Sequence, residues 1–167
     1  DGEWMRTWEE DCGAAGINRV SDSVICCEAP DDEALAACRA LADAGVRVNM
    51  TLVFSPTQAL MAANAGARYI SPFVGRFDDI AEDGISQLDN VVTCIKNYDW
   101  TGKNVDDTVE IITASVRTPN HVTQAALLGA DIATVPMAAL KKCLHHPLTD
   151  QGLASFEADW QKVVAQA

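Results

Sequence analysis

The stretch VNMTLVFSPTQALMAANAGARYISPFVGRFDDI, residues 48–80, decides the class of fold. It begins within an alternating run, Val46–Phe54, whose period of two is typical of a β-strand. Ser55 and Pro56 then supply the N-cap and the first residue of a helix, which Gly66 ends. RYISPF, residues 68–73, predicts the next strand. A strand, a helix and a strand in succession indicate the βαβ unit of a parallel sheet.

The same unit recurs along the chain. Strands are predicted to start near residues 23, 46, 68, 108 and 130, and helices over residues 31–45, 55–66, 85–98, 121–128 and 138–144. VGRFDD, Val74–Asp79, is predicted to be a loop. The tail, residues 150–167, predicts an amphipathic helix with Phe156 and Trp160 on its apolar side. The alternation predicts an α/β protein, and periodicity alone fits an open sheet and part of a barrel equally well.

The composition and charge of the chain limit the classes of function that it could have. With 49% apolar and 22% charged residues, the 167 residues are predicted to form one globular domain, preceded by an atypical segment at 1–22. A net charge of −12 argues against a nucleic-acid groove or an anionic membrane surface as partner. No apolar run approaches the roughly 20 residues of a membrane span, and the start has no signal-peptide character. The sequence does not begin with Met, which is consistent with a start inside a longer chain.

The cysteines and histidines predict no metal site. None of the six cysteines forms C-x-x-C, and the three histidines do not fall at zinc-finger spacing, so reduced buried thiols are expected. His121 is predicted to be a surface residue in the first turn of a helix. His145 and His146 are predicted to end a helix, where they suit its dipole.

Four stretches carry a resemblance to a known family: residues 48–80, ASVRTPNHVTQAALLGADIATVP at 114–136, HHPLTDQG at 145–152 and FEADW at 156–160. In this order and spacing they resemble the transaldolase family, close to its small members and to fructose-6-phosphate aldolase. The resemblance implies a (β/α)8 barrel, of which about five βα units are readable here. It also implies cytosolic action on sugar phosphates, fructose 6-phosphate-like or smaller, through a lysine Schiff base without a cofactor. Small members of the family form homo-oligomers based on pentamers.

The candidate site residues lie where strands are predicted to end, which is where α/β barrels place their sites. By motif, Arg76, Ser115 and Arg117 match the phosphate-binding positions of the family. The polar substrate and water contacts are matched by Asn49, Thr51 and Ser71, and the aromatic wall by Phe73. Planar guanidinium donors suit a phosphate. Without the resemblance, the usual interpretation of Arg76, which precedes Asp78-Asp79, is a surface ion pair, and that of Arg117 a loop cation.

One position departs from the family pattern. Where the Schiff-base lysine is expected, the sequence reads Ile25-Cys26-Cys27-Glu28-Ala29-Pro30, which puts Cys27 or Glu28 in its place. A carboxylate cannot form an imine, and a thiol forms only a hemithioketal, which offers no cationic nitrogen as electron sink. The five lysines are predicted to lie in helices or loops. We therefore expect no Schiff base, and no ordinary turnover, from this chain alone.

Alternatives stay open at this stage. The sequence before Cys26 is too short for the three further βα units of the family, so the chain is a fragment, a partial barrel completed by another subunit, or a sheet covered by its own N-terminal segment. Three functions compete accordingly. The chain is a sugar-phosphate protein, an interaction subunit that completes a homologous barrel, or an enzyme with Cys27 as nucleophile beside Glu28.

Overall fold

The strands form one parallel sheet. The computed structural model describes residues 3–16 and 32–165. Within them the sheet has the order β1-β2-β3-β4, so each strand lies beside the next along the chain. The strands are β1 (Asn49–Val53), β2 (Tyr69–Pro72), β3 (Glu110–Thr113) and β4 (Ile132–Ala133). Parallel neighbours joined by helices confirm the predicted α/β class.

Helices connect and follow the strands. They are α1 (Glu3–Ala14), α2 (Asp32–Asp43), α3 (Pro56–Asn64), α4 (Val74–Asp79), α5 (Gly84–Lys96), α6 (Pro119–Leu128), α7 (Met137–Cys143) and α8 (Pro147–Val164). Local chemistry explains several starts. Ser55 and Thr118 accept hydrogen bonds from the backbone N–H groups of α3 and α6, each followed by proline, and Asp83 caps α5 in the same way. No helix in the described ranges is long and apolar enough to cross a membrane.

The core lies between the sheet and helices α3 and α5. Ile70 and Ile111 of the strands, and Leu88 and Ile95 of α5, are almost fully buried there. Burying each such side chain contributes about 1.5–3 kcal/mol. Ala59, Ala62 and Ala63 make α3 slim enough to pack closely, as the sequence predicts. By contrast, β1 buries only Val53 and forms an open edge of the described sheet.

The prediction of a loop at Val74–Asp79 is wrong, because these residues form α4. No side chain caps this helix, and its first N–H groups donate to the segment that follows β3 instead. Val74 N–H donates to Ala114 O over 3.1 Å, and Gly75 N–H to Ser115 O over 3.2 Å. Val74 and Phe77 are buried three residues apart. Tertiary hydrogen bonds and burial therefore create a helix that local signals do not indicate.

Other boundaries also differ from the predictions. The strand expected from residue 46 begins at Asn49, and the strand expected from 130 is reduced to two residues. A helix, α1, occupies most of the atypical segment 1–22. The predicted strand near residue 23 lies outside the described residues. Nor do His145 and His146 end a helix: α7 ends at Cys143, and the His146 side chain accepts from Leu148 N–H as the N-cap of α8.

Candidate functional site

Backbone hydrogen bonds join the segments that follow β2 and β3. Ala114 N–H donates to Pro72 O over 2.9 Å, and Phe73 and Ala114 form a parallel bridge beyond the two strands. The start of α4 therefore lies along the segment that contains Ser115. Because carboxyl ends of parallel strands meet at one edge of a sheet, Arg76 on α4 and Arg117 after β3 belong to the same edge.

Gly75 permits a very close approach between these segments. A Cβ atom at Gly75 would lie 2.3 Å from Ser115 O and 2.7 Å from Arg117 Nε. The Arg117 side chain thus passes directly over the Gly75 backbone. Ser115 itself adopts a left-handed conformation with φ of 57°, which costs a non-glycine residue about 1–2 kcal/mol. Such conformations persist where the surrounding structure imposes them, and they cluster at functional sites.

The Arg117 guanidinium is paired with Asp79. Nη2 donates to Oδ2 over 2.6 Å, and Nη1 donates to the other carboxylate oxygen. The two side chains are 45% and 47% exposed, so the pair lies at the surface. The hydrogen bond from Arg117 lowers the pKa of Asp79 below its ordinary value, with smaller help from the charges of Arg117 and Arg76. Asp79 is therefore ionised throughout the neutral range.

His121 fixes the backbone of Arg117. Its ring is buried, and Nδ1 accepts the Arg117 backbone N–H over 3.3 Å. Nε2 lies 3.0 Å from Asp78 Oδ2, and the other Asp78 oxygen accepts Gly84 N–H over 3.3 Å. Since Nδ1 is an acceptor, the ring proton is on Nε2. The prediction of a surface histidine is wrong, because the ring is buried and both of its nitrogens have partners, Arg117 N–H and the Asp78 carboxylate.

Arg76 differs from Arg117 in its contacts. Its backbone N–H donates to Phe73 O over 3.2 Å, but its exposed side chain makes no hydrogen bond or ion pair with any described residue. The alternative interpretation as a surface ion pair therefore applies to Arg117, whose partner is Asp79, and not to Arg76. Ser115 is half-buried, and its carbonyl oxygen binds Gly75 N–H. One arginine with free donors beside a paired one is an arrangement able to receive an anion.

Of the other predicted site residues, those that the structure describes lie in β1, in β2 or directly after β2. Ser71 is buried and its Oγ donates to Asn49 Oδ1 over 2.8 Å, so these two side chains meet across the strands. Thr51 is exposed, and no described contact joins it to the pair. Phe73 is half-buried at the end of β2. Cys27 and Glu28 lie outside the described residues.

Two aromatic residues were missed by the sequence analysis. The Phe54 ring lies 6.0 Å from that of Phe73 and 5.6 Å from that of Phe77, centroid to centroid. All three follow the ends of β1 and β2, and the position of Phe54 at the end of its predicted strand was the available signal. They form an aromatic cluster beyond the ends of these two strands. Within the described ranges no group of three or more His, Cys, Asp or Glu residues could hold a metal ion.

A groove of about 360 Å³ lies elsewhere, between α2 and α3. Leu35, Arg39 and Met61 are among its lining residues, and none of the candidate site residues lines it. Arg39 already donates to Asn64 O over 2.7 Å. The groove therefore lies apart from the candidate site at the edge of the sheet.

Comparison with known proteins identifies the family. The family described as Transaldolase/Fructose-6-phosphate aldolase matches residues 29–167, which is most of the chain. The chain belongs to this family. The predicted resemblance and the predicted fold class are thereby confirmed, because the transaldolase family has the (β/α)8 barrel fold. The four parallel strands described above are part of that barrel.

Proteins named "Probable transaldolase" are similar over most of the chain. The one from Desulfosudis oleivorans is 55% identical over 130 residues, covering 78% of this chain and 58% of the relative. The one from Thermus thermophilus is 54% identical over 132 residues, covering 79% of this chain and 56% of the relative. The one from Brucella ovis is 50% identical over 150 residues, covering 89% of this chain and 65% of the relative. The chain thus spans less than two thirds of the length of each of these transaldolase-family relatives.

Proposed function

We propose that this chain is a sugar-phosphate protein of the transaldolase type, with Arg76, Ser115 and Arg117 as its phosphate-binding residues. The observation that carries the proposal is the pair of backbone hydrogen bonds from the start of α4 to the segment after β3. These bonds bring the two arginines to one edge of the sheet. The relatives named "Probable transaldolase" support the substrate class. Fructose 6-phosphate or a smaller sugar phosphate is the proposed ligand, and the cytosol the proposed location.

Schiff-base turnover is not part of this proposal for the chain alone. Lys96 on α5 is paired with Asp131 over 2.9 Å, and Lys162 on α8 with Asp159 over 2.8 Å. Lys141 and Lys142 are in α7, and Lys103 follows α5 in a turn. None of the five follows the end of a described strand, where the substrate carbonyl would lie. A lysine from a longer product or a homologous subunit would have to supply the imine.

Borohydride trapping tests this restriction. We expect this chain, mixed with fructose 6-phosphate and sodium borohydride, to keep its unmodified mass, because no amine is available at the site to form a reducible imine. Intact-mass spectrometry measures the result, and a lysine-dependent aldolase treated in the same way serves as positive control. A stoichiometric adduct on this chain would contradict the restriction and restore ordinary transaldolase chemistry.

We further propose that the chain works as a homo-oligomer, based on pentamers. Helix α8 supports this proposal because none of its residues is buried. Six large apolar side chains of α8 are between 51% and 74% exposed: Leu148, Leu153, Phe156, Trp160, Val163 and Val164. Contiguous apolar patches of this kind mark interaction surfaces.

Charge on the apolar side of α8 is expected to dissociate the assembly. The double variant Phe156→Asp, Trp160→Asp replaces two exposed aromatic side chains with carboxylates, which are costly to bury in an interface. Native mass spectrometry is expected to shift from the oligomer to the monomer. Gln151→Asp adds charge at an exposed polar position on the opposite side of α8. This control variant is expected to keep the oligomeric mass of the wild type. An unchanged oligomer in the double variant would rule out α8 as the contact.

The second candidate function is an interaction subunit that completes a homologous barrel. It is favoured by β1, which is exposed over most of its length and, among the described residues, pairs only with β2. An unpaired strand edge is a template for another strand. Co-expression with a complete transaldolase homologue distinguishes the candidates, since only the interaction subunit is expected to yield a mixed complex.

A further inference from the structure

We propose that Asp78 and Asp79 are positioning residues that hold Arg117 in the orientation in which it receives the phosphate. The inference rests on the proposed function, because it assigns an origin to the orientation of one of the proposed phosphate ligands. Arg117 is held at two points, its guanidinium and its backbone. Both holds originate from adjacent carboxylates on α4.

The first hold acts on the guanidinium. Asp79 accepts from both Nη atoms of Arg117, so the planar group is fixed in direction and in rotation. The same side chain lies over Gly75, where a Cβ atom would be 2.7 Å from Arg117 Nε, so only glycine permits this placement without a shift. A guanidinium has five N–H donors, of which this pair uses two. Donors therefore remain for a phosphate while Asp79 is still bound.

The second hold acts on the backbone. Asp78 fixes the buried ring of His121 through Nε2, and Nδ1 of the same ring accepts Arg117 N–H. The backbone of His121 is anchored as well, since its N–H donates to Thr118 Oγ1 over 3.2 Å. Asp78 is itself anchored by Gly84 N–H at the start of α5. The position of Arg117 is thus linked to α4, α5 and α6 through one imidazole.

The opposite interpretation is that Asp79 competes with the ligand. A carboxylate beside two arginines repels an incoming phosphate, and its removal would then strengthen binding. Two observations favour positioning. Both members of the pair are nearly half exposed, so water screens the repulsion. In addition, the hydrogen bond from Arg117 N–H to His121 would play no part in competition with the ligand, whereas it does fix the position of Arg117. An arginine that is already ordered loses less side-chain entropy when it binds.

The two interpretations predict opposite signs for Asp79→Asn. Positioning predicts that fructose 6-phosphate binds about tenfold more weakly to this variant, although a negative charge has been removed next to an anion. Isothermal titration calorimetry on the full chain measures the dissociation constant, with inorganic phosphate as a second probe. Asp79→Glu keeps the carboxylate and is expected to recover most of the affinity. Equal or tighter binding by Asp79→Asn would overturn the proposal in favour of competition.

A matched control separates positioning from net charge. Asp159→Asn removes the same charge from another exposed aspartate with a cationic partner, Lys162, on α8. Its affinity for fructose 6-phosphate is expected to equal that of the wild type. Similar weakening in Asp159→Asn and Asp79→Asn would mean that overall charge sets the affinity, and that outcome also counts against positioning.

Nuclear magnetic resonance of Arg117 gives a readout that needs no ligand. In the wild type the Nε–H signal of Arg117 is expected to be sharp and protected from solvent exchange, and in Asp79→Asn to broaden. His121→Asn shortens the side chain and is expected to speed hydrogen exchange at the Arg117 backbone amide, with a weaker effect on the guanidinium. Unchanged Arg117 signals in both variants would overturn the two-point hold.

The binding experiments distinguish failure of the proposed function from failure of the positioning role. If the wild type binds neither fructose 6-phosphate nor inorganic phosphate, the proposed function fails, and the inference about ligand orientation fails with it even where the Arg117 signals respond to Asp79. If the wild type binds and Asp79→Asn binds equally well, the proposed function stands and only the positioning role is wrong.

Discussion

Arg117→Ala is expected to weaken the binding of fructose 6-phosphate by about 100-fold. The guanidinium is placed over Gly75 with unused donors, and hydrogen bonds to a charged group contribute about 1.5–3 kcal/mol. The variant also leaves Asp79 unpaired at the site, which adds repulsion toward the phosphate. Titration calorimetry at fixed ionic strength measures the loss. Because the pair is at the surface, unfolding stability is expected to change by less than about 1 kcal/mol.

Arg47→Ala is the matched control for this prediction. Arg47 is also exposed and also forms a two-point pair, with Asp106 at 2.7 and 3.0 Å, but it precedes β1 at the opposite end of the sheet. Its loss removes the same charge without touching the proposed site, so the affinity is expected to remain within about twofold of the wild type. Equal weakening in both variants would show that overall charge sets the affinity. An unaffected Arg117→Ala variant would end the phosphate assignment.

The parts of the fold that the sequence predicts are those determined by neighbours in the chain. The strand within Val46–Phe54 follows from period-two alternation, and the slim helix α3 follows from Ser55-Pro56. Helix α4 was missed because its first N–H groups bond to Ala114 and Ser115, some 40 residues away. Nothing in VGRFDD itself indicates those acceptors. A local sequence pattern does not predict hydrogen bonds to distant parts of the chain.

In the candidate site, too, the sequence predicted some residues and missed those whose role depends on distant contacts. Arg76, Ser115 and Arg117 were found through a family motif, and their placement at one edge follows from parallel strands. The roles of Asp79 and His121 were not predicted, because an aspartate after Arg76 suggests pairing with its neighbour in sequence. The actual partner of Asp79 is Arg117, 38 residues along the chain. His121 likewise contacts Asp78, 43 residues earlier in the chain, and no periodicity in α6 reveals that contact.

Gly75→Ala is expected to have the largest effect on stability. The added Cβ would lie 2.3 Å from Ser115 O, a backbone atom that cannot swing away as a flexible side chain would. Relief requires α4 to move from the segment after β3, which breaks the Gly75 N–H to Ser115 O bond. Overpacking at such a contact costs about 1–3 kcal/mol, and the lost hydrogen bond about 1 kcal/mol more. Urea unfolding followed by circular dichroism is expected to show a loss of about 2–4 kcal/mol.

Gly152→Ala is the control, because a Cβ at that position in α8 meets nothing within 4 Å. Alanine favours a helix interior over glycine by up to about 1 kcal/mol, so this variant is expected to be neutral or more stable. The comparison isolates the close approach at Gly75 from the general effect of replacing glycine. Since Arg117 lies over the same atom, any Gly75→Ala protein that folds is also expected to bind fructose 6-phosphate more weakly. Wild-type stability together with wild-type affinity would mean that α4 and the Ser115 segment are farther apart than described, and the two arginines would then have no common site.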